Sequence, residues 1–218
     1  MPIPCLTRRS LAAVLAAGIA LCGGWSSALQ AQNDENPVGF LQDLQDDAID
    51  LLSGPTLSDG DREQEFRHLF NNNFDLPAIG RFVVGRYWKR ASDEEREDFL
   101  KVFEDAMVQR FLPFFSADNS DLRLEFNGAQ KDERHEGMYI VNSVLPRNDA
   151  EPVQVAWRVR YRDAGPRILD IVIEGASMAI TLRSEYSSFV KANGGKVAKL
   201  TESLREKVER GAFRPNIE

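Results

Sequence analysis

With 218 residues, 27 basic and 34 acidic side chains and a net charge of −7 at pH 7, the chain is mid-sized and acidic. That balance excludes a general nucleic-acid binder, which needs a basic face, and argues against standing adhesion to anionic lipid headgroups. The only cysteines are Cys5 and Cys22 and the only histidines are His68 and His135, without metal-ligand spacing, so no metal or cofactor is expected.

The first residues read as an export signal. Arg8 and Arg9 form a basic start, Leu11 to Cys22 is an unbroken apolar run, and small residues follow at Ser26, Ser27, Ala28 and Ala31. The run is far shorter than the ~20 residues a membrane-crossing helix needs, so no permanent anchor is expected. Leu21 is too bulky for the position before a lipidated cysteine, and the arginine pair reads as ordinary signal charge rather than a twin-arginine motif. Residues 1–31 are therefore expected to be a signal peptide, and residues 32–218 a single domain without cysteine that works outside the cytoplasm, where no ATP is supplied.

From Pro37, apolar residues at Phe40, Leu41, Leu44, Ala48, Leu51 and Leu52 recur at helical spacing until Gly54-Pro55. Ser58 or Asp59 opens a second helix carrying Phe66, Leu69 and Phe70. Asp75, with Pro77 in the first turn, opens a short third one. Ser92-Asp93-Glu94-Glu95 has the capping-box pattern and starts a long helix through Phe99, Phe103, Met107 and Phe111. At Leu122 the period falls to two. Strands are expected at Leu122–Phe126, Met138–Leu145, Val153–Tyr161 and Ile168–Glu174, joined by short turns into an antiparallel meander. Helices over Ser177–Lys191 and Val197–Arg210 close the chain. Helices, then sheet, then helices defines an α+β fold, with one sheet face packed under helices.

Few residues offer chemistry. Asp170 and Glu174 share a strand face by their spacing; such a pair can transfer protons, or can hold Arg158, Arg160 or Arg183 by charge-assisted hydrogen bonds. No nucleophile elbow or phosphate-cradling glycine loop is present. The aromatic content of Phe66 to Phe115 is the stronger signal. An ordinary core accounts for most of it, but Phe111, Leu112, Phe114 and Phe115 cover more than one helical face. They call for something apolar on both sides.

Three segments carry a family resemblance: Phe74 to Trp88, with its Gly85-Arg86-Tyr87-Trp88 ending; Glu94 to Phe103; and Asp170 to Met178, with Glu174-Gly175-Ala176-Ser177-Met178, continuing to Tyr186. In this order they resemble the MlaC, or toluene-tolerance auxiliary, family of periplasmic phospholipid-binding proteins, and the hopanoid-associated HpnM branch shares the motifs. Leu182 stands where the family pattern has glutamine. The resemblance implies a periplasmic carrier that takes a two-chain phospholipid between an inner-membrane ABC transporter complex and an outer-membrane lipoprotein complex, maintaining outer-membrane lipid asymmetry. It also implies a cone-like, strongly curved antiparallel sheet of about four strands against N- and C-terminal helices, enclosing an apolar cavity. Two tails of ~30 methylenes represent on the order of 25 kcal/mol of hydrophobic free energy that such a cavity must shield. From facing and composition, the expected lining is Phe82, Val83, Tyr87, Phe103, Met107, Phe111, Trp157, Ile171, Ile173 and Met178. The competing readings are a hopanoid carrier, a cone-fold enzyme using Asp170 and Glu174, and an adaptor that holds no ligand.

Overall fold

All α-helices but the last begin where a side chain accepts an orphan amide, as seen in a computed structural model that describes residues 35–52, 57–115, 123–147 and 150–213. The expected signal peptide lies outside these residues, as do Gly54-Pro55 and Leu122. Helix α1 (Pro37–Leu52) starts on Pro37, with the Asn36 side chain accepting from the Gly39 amide at 2.9 Å. Ser58 caps α2 (Asp59–Asn73) and Asp75 caps α3 (Leu76–Val84), accepting from Asp61 and Ala78 at 3.2 and 3.0 Å. The capping box of α4 (Asp93–Phe111) is complete: Glu95 donates to Ser92 Oγ at 3.2 Å and Ser92 donates to Glu95 Oε2 at 3.0 Å. Short 3-10 segments, Gly85–Arg90 and Leu112–Phe115, follow α3 and α4. Helices α5 (Met178–Ala192) and α6 (Val197–Glu209) end the described chain.

Between α4 and α5 lies one sheet in the order β1-β2-β3-β4-β5, antiparallel throughout. Its strands are β1 (Glu125–Lys131), β2 (Met138–Leu145), β3 (Val153–Arg162), β4 (Gly165–Ile173) and the two-residue β5 (Ala176–Ser177). Three details depart from the sequence reading. The first strand runs later than Leu122–Phe126, because pairing with β2 continues past Gly128 even though Gly128-Ala129-Gln130 has no alternating pattern. A register shift at Phe126/Gly128 and another at Arg158/Val159 add one residue each, and such bulges bend a strand and raise its twist. The fifth strand has no signal in the sequence; it exists because Glu174 (φ 50) and Gly175 (φ 79) both take left-handed backbone angles and reverse the chain in two residues.

Two hydrophobic clusters result. One, on the sheet face that carries Val141, Val159 and Ile168, is covered by Leu41 of α1, with Trp157 and Ile171 at its edge. The larger one is helical: Phe99, Phe103, Val108, Val190 and Leu204 are fully or almost fully buried among α3, α4, α5 and α6. Arg67 ties α2 to α4 through Glu104 at 2.9 Å and Asp105 at 2.7 Å, and Arg205 ties α6 to α4 through Asp98 at 2.6 Å.

Tyr186 is edge-on to both Phe99 and Phe103 in this core, and its hydroxyl has no hydrogen-bond partner among the described residues. Burial pushes its pKa up to about 12. A phenol held neutral in the fold contributes stability that is complete below its unfolded value near pH 10 and is lost as pH rises toward 12. Tyr186→Phe is expected to be neutral or stabilising by about 1 kcal/mol at pH 7, because it removes an unsatisfied buried hydroxyl. It should also lessen the fall in melting temperature between pH 10 and 12. A loss of more than about 2 kcal/mol in urea unfolding would show that the hydroxyl makes a needed bond.

Candidate functional site

An apolar cavity lies where β4 meets four helices. Its walls are Phe70 of α2 and Phe74 just beyond it, Leu76 and Ile79 of α3, and Phe103, Met107 and Phe111 of α4. Leu169 and Ile171 of β4 and Met178, Ala179 and Leu182 of α5 complete them, and Asp170 is the one charged residue. The cavity measures about 30 Å³, room for a single water. That is an order of magnitude below the ~300–1,000 Å³ usual for ligand sites, so the structure holds no room for the two acyl tails that the expected cavity was to enclose.

Directly beside it opens a groove of about 390 Å³ between α3, α5 and the sheet. Cavity and groove share Ile79, Leu169, Asp170 and Ala179, so the wall between them is one layer of side chains. Phe82 (41 % exposed) and Ile180 (54 %) form apolar parts of the groove, and Arg81, Arg158 and Arg160 its cationic parts.

The ten residues expected to line a cavity go to different places. Phe103, Met107, Phe111, Ile171 and Met178 line the cavity, and Phe82 lines the groove. Val83 and Tyr87 belong to the solid helical core. Trp157 packs with the α1 cluster and donates its indole N–H to Ser143 Oγ at 3.0 Å. Ile173 sits at the end of β4, 40 % exposed. Phe70, Phe74, Leu76, Ile79 and Leu182 line the cavity as well, beyond the expected set. Their helical spacing marks them as core, and only the fold shows which core residues border the void.

Asp170 and Glu174 are not a facing pair. The strand ends at Ile173, and Glu174 turns away into the β4–β5 hairpin. There its carboxylate accepts from the Gln154 amide at 2.5 Å and its own amide donates to the Gln154 carbonyl at 2.9 Å. Asp170 is buried and accepts from Ser177 Oγ at 2.6 Å and the Ala179 amide at 2.9 Å, so it anchors the start of α5. Arg158 Nε approaches it only to 3.9 Å. Arg160 pairs instead with Asp75 at 2.7 Å. Arg183 donates to the Phe82 carbonyl at 2.6 Å and lies 4.6 Å above the Phe82 ring. Gly85, at φ 65, lets the chain turn beside that guanidinium: a Cβ would come within 3.3 Å of it. Among the described residues no group of three or more His, Cys, Asp or Glu is placed to hold a metal ion.

Asp170→Ala should therefore lower stability by about 2–3 kcal/mol, since it strands a buried amide and hydroxyl. Glu174→Gln should cost less than about 1 kcal/mol at its exposed hairpin. Urea unfolding measures both; equal, small losses would refute the anchoring role of Asp170.

The sequence matches the family model for MlaC protein over residues 42–206. Among solved structures, the phospholipid-binding protein from Ralstonia solanacearum, solved in complex with a phospholipid, is similar with a TM-score of 0.68 at 20 % identity. The match covers 80 % of this chain and 97 % of that one, and at such identity it speaks for the fold. No curated protein matches the sequence. The family model runs from within α1 into α6 and takes in every element that lines the cavity, and on that match the chain belongs to the MlaC family.

Proposed function

We propose that the protein is a periplasmic phospholipid carrier. The acyl tails occupy the space between β4 and helices α2 to α5 once the Ile79 wall has moved aside. The observation that carries this reading is the apolar void, bordered by a strand and four helices and one side-chain layer from an open groove. Family membership supports it, as does the fold shared with a neighbour described as phospholipid-binding. Physically, a chamber with one charged residue in its wall favours hydrocarbon over water, and each methylene it covers is worth roughly 0.8 kcal/mol.

In the fuller reading, residues 1–31 direct export, and residues 32–218 carry a two-chain phospholipid between an inner-membrane ABC transporter complex and an outer-membrane lipoprotein complex. A hopanoid in place of the phospholipid would use the same chamber. Among the described residues no helix is long and apolar enough to cross a membrane, which suits a diffusing carrier. The role is that of a binder rather than an enzyme, because Asp170 and Glu174 each hold backbone amides.

Native mass spectrometry of protein purified from the cell envelope is expected to show an adduct with the mass of a two-chain phospholipid. Ile79→Trp, which thickens the wall between groove and cavity, should lower the loaded fraction by about tenfold, equivalent to roughly 1.4 kcal/mol of binding free energy. Protein that neither carries lipid from cells nor takes it up from vesicles would end the carrier reading.

A further inference from the structure

The groove beside the cavity is cationic on an otherwise acidic protein. Arg81 of α3 and Arg158 and Arg160 of β3 line it, and Asp170 is the one acid among its lining residues. Arg158 and Arg160 are two apart on β3, so they project from the same sheet face about 7 Å apart. The Arg158 side chain is 47 % exposed, with its nearest acid at 3.9 Å. Arg160 gives one end of its guanidinium to Asp75 and leaves its buried Nε–H without an acceptor among the described residues. Asp170 lines the groove too, but its oxygens are already committed to Ser177 Oγ and the Ala179 amide. An anion entering the groove therefore meets two or three guanidinium groups, whereas a cation meets no uncommitted carboxylate. Phe82 and Ile180 add an apolar floor, which fits the glycerol end of an amphiphile.

We infer that this groove is a headgroup site that selects phospholipids of net negative charge over zwitterionic ones. This rests on the carrier reading: with tails in the cavity, the shared wall of Ile79, Leu169, Asp170 and Ala179 sets the phosphate into the groove. The phosphodiester of either lipid class accepts from Arg158. An ammonium on the same headgroup, only a few ångströms away, lies against Arg81 or Arg160 and is repelled, while an uncharged glycerol headgroup is not.

The test equilibrates the protein with vesicles of equal phosphatidylglycerol and phosphatidylethanolamine, matched in acyl chains, and quantifies bound lipid by mass spectrometry. Bound phosphatidylglycerol is expected to exceed phosphatidylethanolamine by about fivefold, the scale of a half-exposed ion pair. Arg81→Glu should bring the ratio to near one while melting temperature holds, whereas Arg158→Gln, which removes the donor shared by both lipid classes, should lower the amount of each bound lipid; an unchanged ratio in Arg81→Glu overturns the inference. Arg81 is exposed on α3, so Arg81→Glu tests the selectivity without disturbing the core. Arg123→Gln, an exposed arginine paired with Asp46, should leave the ratio unchanged; an equal drop there would make the preference a net-charge effect and overturn the inference. A ratio near one in the unmodified, lipid-loaded protein overturns headgroup selection and leaves the carrier reading standing. Failure to load either lipid removes the carrier reading itself. Millimolar inorganic phosphate should not erode the ratio; erosion would reassign the groove to a free anion and overturn the headgroup site.

Discussion

The fastening of β4 to α5 by Asp170 is the contact on which the site depends. A buried carboxylate is tolerated only with partners, and here the partners are the Ser177 hydroxyl and an amide in the first turn of α5. Ser177 in turn caps α5 by accepting from Ile180 at 3.1 Å. One acid thus orients strand, hairpin and helix together. The two-residue hairpin through Glu174 and Gly175 brings Ser177 back alongside β4 to meet it. Met178, Ala179 and Leu182 then reach the cavity, and Ile180, next along the helix, reaches the groove.

The opposite wall is held as firmly. Asp75 caps α3, donates its backbone amide to the Ile168 carbonyl of β4 at 3.0 Å, and accepts from Arg160 at 2.7 Å. Arg183 of α5 reaches back to the Phe82 carbonyl near the other end of α3. Helix α3 is therefore pinned at both ends to the elements it must line up with, while its middle presents Ile79 to both cavity and groove. The thin wall is suspended between fixed points, so moving one side chain there does not require α3 to leave its place.

Much of this architecture is legible in the chain because its signals are local. Ser58, Asp75 and Ser92 announce helix starts through hydrogen bonds spanning three residues, and the observed caps use them. The β2 and β3 alternation reads directly as strand. What escapes are features decided by non-local pairing: the β1 ladder through Gly128, the bulge beside Leu169, and the strand Ala176–Ser177. The supposed Asp170–Glu174 pair fails for the same reason, since a period-two argument assumes the strand continues and a left-handed Glu174 ends it. Val83 and Met107 look alike in sequence, apolar and helical; one fills the core and the other borders a void, and only the placement of β4 and α5 separates them.

The small volume of the cavity follows from stability. Leaving an apolar hole inside a protein costs about 24 cal/mol per Å³, so a rigid, empty chamber of ~500 Å³ would cost on the order of 12 kcal/mol. That equals the whole stability of a typical domain. On the proposed carrier reading the protein is empty for part of each cycle and does not keep such a hole open. A void of about 30 Å³ costs less than about 1 kcal/mol, and the packed Phe70, Met107 and Leu182 side chains supply dispersion contacts that, on the proposed reading, the tails replace on entry. Methionine suits this exchange: Met107 and Met178 have unbranched, flexible side chains that refit irregular gaps at little rotamer cost. On the same reading, hydrophobic free energy from the tails, on the order of 25 kcal/mol, exceeds the ~12 kcal/mol of opening such a hole, but only while water is kept out. A chamber bordered by one charged group, already bonded to α5, meets that condition.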